Sequence, residues 1–102
     1  MNAVIKNLEE CIEFPKEGIL SKVIMKVKGI QCTLFCMSKG TEISEHTSLK
    51  NASLIVLKGK GLMSVAGEET ILKPSVFIHM PANTSHALKA DDDLAFLLIL
   101  TE

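Results

Sequence analysis

The chain has 102 residues, 47% of them hydrophobic and 23% charged, with 11 Lys and Arg against 12 Asp and Glu for a formal net charge of −1. That length makes one domain, since two would each fall near the lower limit for a self-sufficient core, and such a chain buries roughly two-thirds of its unfolded surface. The balance argues against disorder and against electrostatic capture of nucleic acid, and the lack of Trp and Tyr removes the stacking platforms of a single-strand binder.

The sequence after Met1 shows neither the charged nor the apolar region of a secretory leader, and no apolar run approaches the ~18 residues of a membrane span. The expectation is a cytoplasmic protein with no membrane partner. From Met1 to Gly18 the pattern is mixed, with Val4, Ile5, Leu8 and Ile12 near helical spacing and Asn2 available as a cap. Phe14-Pro15-Lys16-Glu17-Gly18 is punctuation, and from Ile19 the character changes to strands. Ser21 to Lys28 alternates, with Val23, Met25 and Val27 on one face and Lys22, Lys26 and Lys28 mostly opposite. Ile30 to Met37 is a second run, ended by Ser38-Lys39-Gly40. Thr41 to Glu45 has the form of a capped helix start, but only Ile43 and Leu49 would face a core, so strand or loop is expected.

Ser53 to Leu57 is apolar on both faces and too short for a helix. Lys58-Gly59-Lys60-Gly61 reads as a hairpin turn, Leu62 to Ala66 as the returning strand and Gly67-Glu68-Glu69 as the next turn. Thr70 to Leu72, Val76 to Met80, Ser85 to Lys89 and Leu94 to Leu100 complete a series of short strands, with Asp91-Asp92-Asp93 as a solvated turn. Turn signals every 8 to 12 residues or so predict an all-β sandwich or barrel. Leu94 to Leu100 is apolar on both faces and must be covered twice, once by the interior and once by a second subunit, so a homodimer is expected. Cys11, Cys32 and Cys36 are odd in number. On one strand Cys32 and Cys36 share a face ~13 Å apart at ~3.3 Å per residue, beyond the roughly 7 Å limit for a disulfide, so free thiols in a reducing compartment are expected.

Two segments carry a family pattern. The first has Gly40, five residues, His46, one, Ser48, three, Ala52, six and Gly59, and the second is Pro81-Ala82-Asn83-Thr84-Ser85-His86. They resemble the two motifs of the cupin superfamily, which read Gly, five, His, one, His, three or four, Glu, six, Gly, and Pro, one, Gly, two, His. The resemblance covers about Ile19 to Leu100. It implies an all-β, antiparallel double-stranded β-helix or jelly-roll barrel of the RmlC-like kind over residues 19–102. Residues 1–18 become an N-terminal segment, extended or a short helix, packed on that barrel, and a dimer is common among small members.

In the family the two His, the Glu and the later His hold a transition metal. Carried over residue by residue, the resemblance implies a ligand pocket at His46, Ser48, Ala52 and His86, with His46 and His86 as the metal ligands that survive. Residues two apart on a strand share a face, which explains His-x-His, but a Ser48 hydroxyl is a poor ligand and Ala52 is none. Two neutral imidazoles leave a divalent ion's charge uncompensated, so a weak or absent site is expected. His79 would add a third imidazole if it points inward, and the strand Val76 to Met80, apolar on both sides, leaves its parity open. Cys32, Cys36, Met25, Met37, Met63 and Met80 offer soft ligands for copper(I), with core filling as the ordinary reading. No nucleophile elbow or phosphate-binding glycine loop is present. The sequence therefore predicts a small-molecule pocket in a cupin barrel. The alternatives are a metal-dependent dioxygenase-, isomerase- or sugar-processing-like enzyme at His46 and His86, and a non-catalytic dimeric interaction or structural protein.

Overall fold

The computed structural model describes residues 3–102, so the proposed Asn2 cap lies outside the described residues. One helical turn, α1 (Leu8–Cys11), precedes nine strands: β1 (Ile19–Val27), β2 (Ile30–Met37), β3 (Glu42–His46), β4 (Asn51–Lys58), β5 (Gly61–Val65), β6 (Glu68–Leu72), β7 (Phe77–Met80), β8 (His86–Ala90) and β9 (Leu94–Thr101). They form two antiparallel sheets, ordered β1-β2-β9-β4-β7 and β3-β8-β5-β6. The chain changes sheet at each of the connections from β2 to β3, β3 to β4, β4 to β5, β6 to β7, β7 to β8 and β8 to β9. That alternation is what winds the two sheets into a jelly roll.

The interior follows from period-two alternation. On β9, Leu94, Phe96, Leu98 and Leu100 face the core between the sheets, opposite Met37, Phe35 and Thr33 of β2 and Val56, Leu54 and Ala52 of β4. The alternate residues of β9 face outward. There Ala95 is buried with Leu34 and Cys36 beneath Cys11, Ile12 and Phe14, so the N-terminal segment covers one end of the outer face. Asn7 caps α1 by accepting from Glu10 N at 3.3 Å, and Lys22 ties the segment down through Cys11 O at 2.9 Å and Glu13 at 3.0 Å. Further along that face Ile55, Leu97 and Ile99 are half-buried and Phe77 is 60% exposed.

Two sequence expectations fail for identifiable reasons. Lys58 to Gly61 is not a hairpin, because β4 and β5 belong to different sheets and the two glycines mark a crossing. The hairpin is the next one, where Ala66 (φ 50°) and Gly67 (φ 84°) join β5 to β6 in a two-residue turn. On β1 the alternation is broken by a bulge between Val23 and Met25, and Val23 is left 60% exposed while Leu20 and Ile24 pack beneath the N-terminal segment. All three cysteines are free thiols, with Cys36 fully buried.

Candidate functional site

His46 is the last residue of β3 and His86 the first of β8, and the two are direct partners across the ladder. Ile43 and His46 are three apart, so strict alternation would put them on opposite faces. The ladder, however, advances from the Ile43–Leu88 pair to the His46–His86 pair with one extra residue on β3. That bulge returns His46 to the face of Ile43, and both line the same cavity. The two imidazole rings meet edge to face, with centroids 4.1 Å apart and planes at 61°.

Each ring is set by its own strand. His46 Nδ1 lies 2.8 Å from the carbonyl of Ser44, and His86 Nδ1 lies 2.9 Å from that of Thr84. A carbonyl only accepts, so both Nδ1 atoms carry the proton and both Nε2 atoms of the neutral rings hold a free lone pair. The second motif sets the approach to β8. Pro81 O accepts from Thr84 N at 3.2 Å and from Thr84 Oγ1 at 2.7 Å, and Asn83 adopts φ 67°. Asparagine tolerates this left-handed geometry, which accounts for its standing where the family motif has glycine. Asn83 N then bonds Ser48 O at 2.7 Å, joining the two motif segments.

The pair stands at one side of a cavity of about 310 Å³ between the sheets. Phe35 and Phe96 form one wall, stacked at 5.2 Å. Met63, Met80, Leu54 and Leu98 make most of the rest, with Ile19, Ile43 and Leu88 completing it. Met37, Leu72 and Leu94, all fully buried, fill the remaining interior.

A family model described as a cupin domain matches residues 33–101, more than half the chain and both motif segments. The chain is a cupin. Solved structures agree on the barrel. A conserved protein of unknown function from Streptococcus pyogenes is 25% identical with a TM-score of 0.86, covering 100% of this chain and 90% of that one. A cupin 2 conserved barrel domain protein from Leptotrichia buccalis is 31% identical with a TM-score of 0.85, over 95% of this chain and 47% of that one. An RmlC-like cupin from Desulfovibrio desulfuricans shares the fold at 19% identity and a TM-score of 0.84, over 99% and 96% of the two chains. No curated protein matches the sequence.

Of the residues the motifs point to, this cupin brings only His46 and His86 together. Ser48 lies in the loop after β3 rather than on the strand, so the expected shared face does not exist, and its Oγ accepts from Lys50 N at 3.1 Å. Ala52 is buried on β4 opposite Met80, in the packed interior. His79 points away from the cavity, since it pairs with Ser53 on the outer face and its Nδ1 meets Ser53 Oγ at 2.9 Å. The soft ligands divide likewise: Met63 and Met80 line the cavity, while Cys36 packs on the outer face.

The donor set does not fit the metal centre that the family implies. Among the described residues no three His, Cys, Asp or Glu side chains converge, and two uncharged imidazoles supply half of a four-ligand shell and none of its charge. The carboxylate next to the pair, Glu45, is exposed and accepts from Ser85 Oγ at 2.5 Å, which braces the loop before β8. Sequence reasoning missed the Ser44 and Thr84 carbonyls and the aromatic wall. The first would have needed the bulge, and the second only the pairing of Phe35 with Phe96. No helix among the described residues is long and apolar enough to cross a membrane.

Proposed function

We propose that this cupin is a small-molecule binding module, holding its ligand in the cavity between the sheets with the ligand's polar end at His46 and His86. The observation that carries this reading is an apolar cavity of about 310 Å³ whose polar side chains are those two imidazoles. That volume is at the lower end of small-molecule pockets, and it is several times the space of a structural water. Binding of this kind needs the pocket alone and tolerates the loss of ligands at Ser48 and Ala52. The same reading has the protein cytoplasmic, which its free thiols suit, and dimeric across the outer face of the five-stranded sheet.

The test uses methyl labels on methionine. Apolar fragments should shift the Met63 and Met80 methyl resonances and leave Met25, which is outside the cavity lining, unchanged. Fragments that move no cavity methyl would end the reading. A metal-dependent enzyme is the second reading, favoured by two free Nε2 atoms on rings 4.1 Å apart. Elemental analysis of protein purified without chelator separates the two. Near-stoichiometric metal that disappears in His46→Ala would replace the first reading with the second.

A further inference from the structure

The hydrogen-bonding sense of the histidine pair constrains the ligand further, on the premise that the cavity binds one. Both Nδ1 protons are committed to backbone carbonyls of the same strand or its approach, Ser44 O and Thr84 O. Each neutral ring therefore offers the cavity an acceptor and no donor. Nothing else in the lining reverses that sense, because the other lining side chains are hydrocarbon, aromatic or thioether, with no Lys, Arg, hydroxyl or amide among them. A carboxylate or phosphate placed there would give up hydration with no cation or N–H in the lining to replace it. A carbonyl or ether oxygen would face two lone pairs. A hydroxyl or N–H is the group that each Nε2 can hold, with the remainder of the ligand packed against Phe35, Phe96 and Met63. A cavity of about 310 Å³ holds on the order of ten water volumes, hence a ligand of roughly ten non-hydrogen atoms.

We infer that the cavity selects a compact, mostly apolar molecule carrying a hydrogen-bond donor, an alcohol, phenol or amine N–H, and rejects organic acids of the same shape. The sharpest probes share one body and differ in the head group: 4-propylphenol, 4-propylanisole and 4-propylbenzoate, titrated by calorimetry against the full chain. The phenol should bind about tenfold more tightly than the ether, the difference that one well-made hydrogen bond gives, and the benzoate should bind most weakly. His86→Phe should narrow the phenol's advantage over the ether. His46→Phe, at an exposed position, should do the same in part and covers the case in which the half-buried His86 variant does not fold. His79→Phe, on the outer face, should change nothing. Equal affinities for phenol and ether would overturn the donor inference and leave the binding pocket standing. Tightest binding of the benzoate would overturn it too, by showing the pair acting as a donor. Binding of none of the three would overturn the pocket reading itself.

Discussion

Gly40 and Gly59 bracket the first motif, and the structure gives them different duties that a paired substitution separates. Both have φ 89°, a left-handed conformation, so either alanine variant carries the roughly 1–2 kcal/mol that a Cβ costs there. Around Gly40 a Cβ would meet nothing within 4 Å. At Gly59 it would lie 1.9 Å from the carbonyl oxygen of Asp93, a backbone atom, where real Cβ atoms keep 3.0 Å or more. The Asp91 to Asp93 turn would have to retreat by about 1 Å. That retreat strains the bonds from Asp91 N and Asp92 N to Lys60 O, at 3.0 and 3.1 Å, and from Lys39 N to Asp93 Oδ1, at 2.9 Å. At about 0.5–1.5 kcal/mol each, losing all three adds roughly 2–4 kcal/mol. Gly59→Ala should therefore cost about 3–6 kcal/mol, a large part of the 5–15 typical of a small domain, and Gly40→Ala only about 1–2. Urea unfolding followed by far-ultraviolet circular dichroism is the assay, since the chain has no Trp or Tyr to report by fluorescence. Equal losses in the two variants would refute the steric account and reduce both glycines to backbone permissiveness.

Two further outcomes are expected. Ile99, half-buried on the outer face between Cys32 and Ser53, should lie under the second subunit of the proposed dimer; sedimentation at micromolar concentration should show a dimer for the native chain and a folded monomer for Ile99→Lys, and a monomeric native chain would remove the proposal. In a Cys11→Ser, Cys32→Ser background the remaining thiol, Cys36 with 0% exposure, should react with a thiol reagent only as fast as the barrel opens, whereas rapid labelling would mean that residues 11–14 do not hold their place over it.

The barrel was legible because its signals are local and repeated. Runs such as Ile30 to Met37 and Leu94 to Leu100 are strands by composition, and the structure returns β2 (Ile30–Met37) and β9 (Leu94–Thr101) nearly to the residue. The motif spacing pointed to His46 and His86, and the structure pairs the two across one ladder, because both glycines and the Asn83 turn answer to backbone geometry. What alternation alone could not give was parity after a bulge. The irregularity between Ile43 and His46 turns one histidine into the cavity, and the one between Val23 and Met25 puts those two residues, expected on one face of β1, on opposite faces. His79 stayed ambiguous for a related reason, since a strand flanked by apolar neighbours on both sides does not say which side is inside. The glycines at 59 and 61 read as a hairpin because turn chemistry is the same whether a chain folds back in its own sheet or crosses to the other.

The two histidines do not rest on equal footings. His86 belongs to a strand flanked by β3 on one side and β5 on the other, whereas His46 ends an edge strand joined only to β8 and interrupted by its bulge. The half of the pair that faces solvent is therefore carried by the part of the sheet least held by neighbours. In the proposed binding mode, a guest that engages both rings would tie β3 to β8 and give up part of its affinity to order that border. For the proposed binding module, the fit of the guest and the fraying of the border would be one linked quantity.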